Sequence, residues 1–147
     1  MNRCFERVKF FMNEALKEAK KSFDCENVPV GAVLVYDDAI ISRSSNESSN
    51  AIRHAEISCI EYGCEFLQKR YLDECEIFVT LEPCEMCYNA IILSRISRVF
   101  FGAFAFKDLD SSRREKKIEY CGGFLQNECS LILKEFFQKK RRSDLVN

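Results

Sequence analysis

A single histidine stands among the 147 residues, so any imidazole chemistry in this protein falls to His54. Lys and Arg number 22 against 23 Asp and Glu, for a formal net charge of −1. That balance excludes a protein-wide positive field, and leaves any binding of nucleic acid to local patches. No run approaches the ~18 apolar residues that a membrane-spanning helix needs. Glu6 and Glu14 lie inside a helical pattern near the N-terminus, unlike a cleaved secretory leader, so the expected location is cytoplasmic. Hydrophobic residues make up 47% and charged residues 31%, a globular composition rather than a disordered or fibrous one. A chain of this length suits one domain with a real core.

Cysteine is what the sequence has in excess. The nine cysteines are odd in number and lack a secretory context, which argues against a disulfide framework. Metal ligation, or burial as small apolar side chains, is the expected use.

Phe5, Val8, Met12, Ala15 and Ala19 recur at steps of three and four and predict an amphipathic first helix. Residues 30–36 read as a buried strand, Asp37-Asp38 as a turn, and residues 39–41 as its antiparallel partner. The Ser/Asn-rich segment 42–50 reads as a loop. A helix is expected over 54–62, a strand over 77–81, and a third helix opened by Pro83, which suits a first turn because its missing N–H needs no partner there. A strand over 99–103 completes a βαβ unit, normally parallel. A polar stretch over 107–117, a short strand over 118–121, a break at Gly122-Gly123 and a last helix from about residue 127 follow. The expectation is one α/β domain over 1–147, a mixed sheet covered by helices.

Cys84 and Cys87 stand three residues apart in the first turn of the third predicted helix, so their sulfurs leave on nearly the same side. The unpaired N–H groups and positive dipole end of that turn favour thiolate, the form that binds metal. Taken alone, the pair reads equally as a redox dithiol or as two core cysteines. His54-Ala55-Glu56 changes the weighting. His, Cys and Cys form a known zinc set that leaves the fourth position to water. Glu56, two residues from the imidazole, can reach that water without being a ligand. Cys59, Cys64 and Cys75 lack the spacing that would mark a fourth ligand, so one catalytic zinc per chain is favoured over a structural one.

His54-Ala55-Glu56 followed by Thr80-Leu81-Glu82-Pro83-Cys84-Glu85-Met86-Cys87 resembles the cytidine/deoxycytidylate deaminase superfamily, whose signature is H-x-E…P-C-x-x-C. Residues 28–33, Ser94-Arg95-Ile96, residues 99–103 and Phe136-Phe137 extend the resemblance, along most of the chain, to the bacterial tRNA-specific adenosine deaminases. It implies a three-layer α/β/α cytidine-deaminase-like fold with a mixed five-stranded sheet, and a homodimer. It further implies zinc on His54, Cys84 and Cys87, with Glu56 moving protons between water, the ring nitrogen and departing ammonia. Asn46 and the backbone N–H of Ala55 would hydrogen-bond the base. Three positions depart from the family pattern: Asn89 stands where a small residue is usual, Ala105 where Asp is usual, and residues 107–117 shorten a Gly/Ser-containing loop.

Phe137 with Lys139, Lys140, Arg141 and Arg142 are the candidates for contact with a tRNA anticodon loop, since the family has a similar aromatic-then-basic end. Cations at a helix C-terminus are also favourable for dipole reasons alone, and paired Phe residues usually pack a core. Arg113, Arg114, Lys116 and Lys117 form a second basic cluster that reads as a solvated loop. The leading expectation is deamination of a wobble adenosine in tRNA to inosine. Deamination of a free base or nucleoside (cytosine, guanine or cytidine) is the alternative, and a non-catalytic zinc-stabilised binding module is a third, which the non-ligand Glu56 argues against.

Overall fold

The computed structural model describes residues 3–105, 114 and 117–146. Among the described residues, four helices and five strands follow in the order α1 (Arg3–Asp24), β1 (Gly31–Tyr36), β2 (Ala39–Ser45), α2 (Ala55–Leu67), β3 (Cys75–Leu81), α3 (Glu85–Leu93), β4 (Arg98–Ala103), β5 (Glu119–Cys121) and α4 (Gln126–Val146). The strands form one sheet in the order β2-β1-β3-β4-β5. β1 is antiparallel to β2 and to β3, whereas β3, β4 and β5 run parallel. The expected mixed five-stranded sheet and βαβ unit are both present. No helix among the described residues is long and apolar enough to cross a membrane.

Alternation along the strands builds two cores, one on each face of the sheet. Val33, Val35, Phe78 and Phe100 point to the face covered by α1 and α4. Ala32, Leu34, Ile77, Val79, Val99 and Phe101 point to the face covered by α2 and α3. Phe78 is fully buried, with its ring centroid 5.0 Å from those of both Phe11 and Phe100. The α1 face of Val8, Phe11, Met12, Ala15 and Ala19 lies almost directly on the sheet. A side chain at Gly31 would run into the Ala15 and Ala19 backbone, so glycine sets how closely α1 crosses β1.

Asp37 and Asp38 both adopt left-handed φ, 51° and 61°, as a tight hairpin requires. β2 then continues to Ser45, through residues expected to form a loop. Ser42 and Ser44 alternate inward and are buried, and the Ser42 hydroxyl donates to the Cys59 carbonyl at 2.7 Å. Pairing of Gly31 with Ser45 through Leu34 with Ser42 supplies the ladder that the polar composition concealed. Helix α2 runs past the expected end at residue 62 to Leu67. It closes at Gln68, a left-handed residue whose N–H bonds the carbonyls of Cys64 and Glu65. The polar stretch expected over 107–117 lies mostly outside the described residues.

Candidate metal centre and active site

The site forms where the N-termini of α2 and α3 meet beyond the end of β3. His54 and Cys84 are the N-cap residues of these helices, both with extended backbone, and neither side chain makes a capping hydrogen bond. N-caps normally use Ser, Thr, Asp or Asn to satisfy the open N–H groups. Here the two side chains turn toward each other instead. His54 Nδ1 lies 3.7 Å from Cys84 Sγ and 3.5 Å from Cys87 Sγ. Among the described residues, these three donors gather within 4.8 Å of one another.

The spacing fits zinc. Bonds of about 2.3 Å to sulfur and about 2.0 Å to nitrogen at a tetrahedral angle put N and S about 3.5 Å apart. Burial pushes the Cys87 thiol well up from its ordinary range, and the neighbouring Glu56 carboxyl and Cys84 sulfur add to the effect. A divalent cation among the three donors reverses that preference.

Glu56 sits in the first turn of α2, 4% exposed. Burial pushes its carboxyl up to about 7, against smaller lowering effects from its own backbone N–H and from Cys87. Asn46 reaches the site from the segment after β2. Its Oδ1 accepts the Ala55 N–H at 2.7 Å, while its backbone carbonyl accepts the Ser22 hydroxyl at 2.8 Å. Asn46 and the Ala55 N–H, both expected to contact a base, are thus paired with each other. They hold each other, because the first N–H of a helix needs an acceptor and His54 does not supply one.

His54, Glu56, Cys84 and Asn46 line a cavity of about 660 Å³ whose remaining wall includes Phe104 and Phe137. That chemistry in that cavity matches known proteins. The family model for the cytidine and deoxycytidylate deaminase zinc-binding region covers residues 6–103. The tRNA-specific adenosine deaminase of Bacillus subtilis is 39% identical over 144 residues, covering 90% of this chain and 89% of that protein. The chain belongs to the cytidine and deoxycytidylate deaminase family.

Two solved deaminase structures bracket it. One, from work on A-to-I editing by tRNA:A34 deaminases at the wobble position, has a TM-score of 0.78 and 36% identity, covering 84% of this chain and 99% of that one. A guanine deaminase from Bacillus subtilis has a TM-score of 0.63 and 30% identity, covering 81% and 72%. The deaminase fold is therefore the expected α/β one, with zinc as its cofactor.

The remaining candidates separate by position. Phe137 joins the cavity wall together with Ser130, Leu133 and Lys134, one face of α4. Its neighbour Phe136 is only 5% exposed and packs against Phe23, with centroids 6.1 Å apart. Lys139 lies over the Phe23 ring at 5.6 Å and Lys140 over Phe136 at 5.7 Å, so both belong to the seam between α1 and α4. Position 141 continues the face of Lys134 and Phe137 by helical spacing, and Arg141 and Arg142 are exposed.

The basic cluster read as a solvated loop is not one at Arg114, which is 3% exposed and fully engaged. Arg113 and Lys116 lie outside the described residues, and Lys117 is exposed. Two of the positions that depart from the family pattern make local hydrogen bonds. Asn89 bonds back to the Glu85 carbonyl at 2.7 Å within α3, and Ala105 offers its N–H to Glu82 Oε1 at 3.2 Å. Leu81, Glu82, Phe104 and Lys134 line the cavity without having been candidates; Leu81 and Glu82 lie within the motif block before Cys84, whereas no local motif distinguishes Phe104 and Lys134.

Proposed function

We propose that this deaminase converts adenosine at the tRNA wobble position to inosine, releasing ammonia. The observation that carries the reading is the buried Glu56 carboxyl beside the His54–Cys84–Cys87 cluster, in a cavity that Phe137 and Lys134 of α4 also line. Phe137 offers a stacking face and Lys134 a cation at the wall, as binding of a single-stranded nucleotide requires. The relatives named for tRNA cover most of the chain, which supports that substrate over a free base.

Zinc, which His54, Cys84 and Cys87 would hold, would supply an activated water, its pKa lowered from 15.7 to about 7. Glu56 takes up a proton of the attacking water at its carboxylate and delivers it to the ring nitrogen beside the carbon bearing the amine. The water oxygen bonds to that carbon; the carboxylate then takes the second proton from the new hydroxyl and passes it to the amine, which leaves as ammonia as the C–N bond breaks. Burial, which brings the carboxyl to about 7, suits a group that must both accept and release a proton near neutral pH. Asn46 meets the base through its amide N–H₂, with Ala55 holding the Asn46 oxygen. Phe137, Arg141 and Arg142 meet the flanking anticodon nucleotides, and Lys139 and Lys140 add positive charge at the helix end.

The active form is a homodimer. Exposed Tyr62 and Phe66 on α2, with Met86 and Leu93 on α3, supply apolar surface for a second copy. The location is cytoplasmic, where tRNA resides and where the nine cysteines stay reduced.

The deciding experiment incubates the purified protein with an anticodon stem-loop bearing a wobble adenosine and, separately, with cytosine, guanine and cytidine. Inosine in the stem-loop supports the reading. Ammonia release from a free base or nucleoside, with no inosine at any salt concentration, overturns it in favour of a small-molecule deaminase.

A further inference from the structure

The residues immediately before and after the ligand Cys84 are both held by one buried side chain, Arg114, far along the chain. Its Nη1 donates to the Pro83 carbonyl at 2.6 Å and to the Tyr120 hydroxyl at 2.7 Å, while Nη2 donates to Glu85 Oε1 at 2.9 Å. Its guanidinium lies 4.3 Å from the centre of the Tyr88 ring, one helical turn after Cys84. Tyr120 in turn donates to Glu82 Oε2 at 2.8 Å, and Glu82 Oε1 accepts the Ala105 N–H at 3.2 Å. The network therefore joins the exit of β3, the start of α3, the exit of β4 and β5 around one turn.

The Pro83 carbonyl stands outside the helix ladder, which begins at the Cys84 carbonyl accepting from Tyr88 N–H at 2.8 Å. A guanidinium can satisfy such an isolated carbonyl and a carboxylate together, because its planar fork presents five donors in fixed directions. The Pro83 carbonyl belongs to the peptide that sets the direction of Cys84, so its orientation governs where Sγ points. We infer that Arg114 is a positioning residue for zinc, clamping the Pro83–Cys84 peptide so that Cys84 Sγ faces His54 and Cys87. This rests on the zinc ligand assignment above. Partners that orient metal ligands typically change affinity by 10–100-fold when removed.

The test measures zinc affinity of the full chain by competition with a chromogenic chelator, together with the visible absorption of the cobalt-substituted protein. Arg114→Met is expected to weaken zinc by about 10–100-fold and to alter the thiolate-to-cobalt absorption. Arg114→Lys keeps the charge near Glu82 and loses the fork, so it should fold and still bind zinc several-fold more weakly. If Arg114→Met does not fold, the lysine variant carries the test alone. A folded Arg114→Lys protein with wild-type zinc affinity and an unchanged cobalt spectrum overturns the inference, even if its thermal stability has fallen, because Arg114 would then only neutralise Glu82. Cys84→Ala in the same assay separates the two readings: wild-type zinc affinity there would remove the ligand assignment rather than the role of Arg114.

Discussion

Two polar clusters flank the turn from Glu82 to Cys87, and they are built on opposite principles. Around His54, Cys84 and Cys87, the side chains face one another at 3.5 and 3.7 Å without using their positions to cap the helices they begin. Around Arg114, Tyr120 and Glu82, donors and acceptors close on each other within 2.6–2.8 Å, and the charges balance internally. The first cluster gathers electron-pair donors and so calls for a cation; the second already contains its cation. A buried polar cluster that satisfies itself rigidifies a fold. One that leaves its donors converging on a common point is a site for something else.

The largest effect expected from breaking this contrast is at Cys87. Metal analysis of the wild type should show about one zinc per chain, and Cys87→Ala should lose most of it along with activity. Full occupancy in that variant would refute the ligand set. Glu56→Gln comes next: zinc and fold should remain while deamination falls by at least ~10²-fold, the loss expected of a general acid–base group. Near-normal turnover would assign the proton transfers elsewhere, and loss of zinc would make Glu56 a ligand.

The self-satisfied cluster should respond in stability. Arg114→Met takes the guanidinium away from the buried Glu82 carboxylate, and urea unfolding should show a loss of about 3–5 kcal/mol, the cost of breaking a buried pair from one side. A change under 1 kcal/mol would mean water or another cation reaches Glu82. Arg141→Ala, at the cavity-side face of α4, should weaken binding of an anticodon stem-loop and lower its salt dependence by roughly one counterion. Lys139→Ala, over the Phe23 ring, should affect that slope less; the reverse order would place the RNA on the α1–α4 seam. The smallest effect is at Glu85, the exposed partner of Arg114, with 75% of its side chain open to water. Glu85→Ala should cost no more than about 1 kcal/mol, and a larger loss on urea unfolding would show that the rim of the cluster matters as much as its centre.

The ligand set and the Glu56 carboxyl beside it were legible in the sequence because each motif is local and each sits at a predicted helix start. H-x-E and P-C-x-x-C need only the knowledge that helix N-termini present side chains in known directions. The alternation of β1 and β3 and the period of α1 were legible for the same reason: neighbours a few residues apart decide them. Ser42 and Ser44 misled because their burial depends on pairing with β1 and on the Cys59 carbonyl, neither of which local polarity reveals. Arg114 misled because a cation in a polar run looks solvated until β5 pairs with β4 and brings Tyr120 beside Glu82. Phe136 and Phe137 are identical and adjacent in sequence. Only the packing of α4 against α1 makes one of them core, at 5% exposure, and leaves the other on the cavity wall at 46%. Local spacing thus determined which atoms can bind metal and move protons, whereas the tertiary structure decided which cations and aromatics are free to meet a substrate, because burial is set by contacts between segments far apart along the chain.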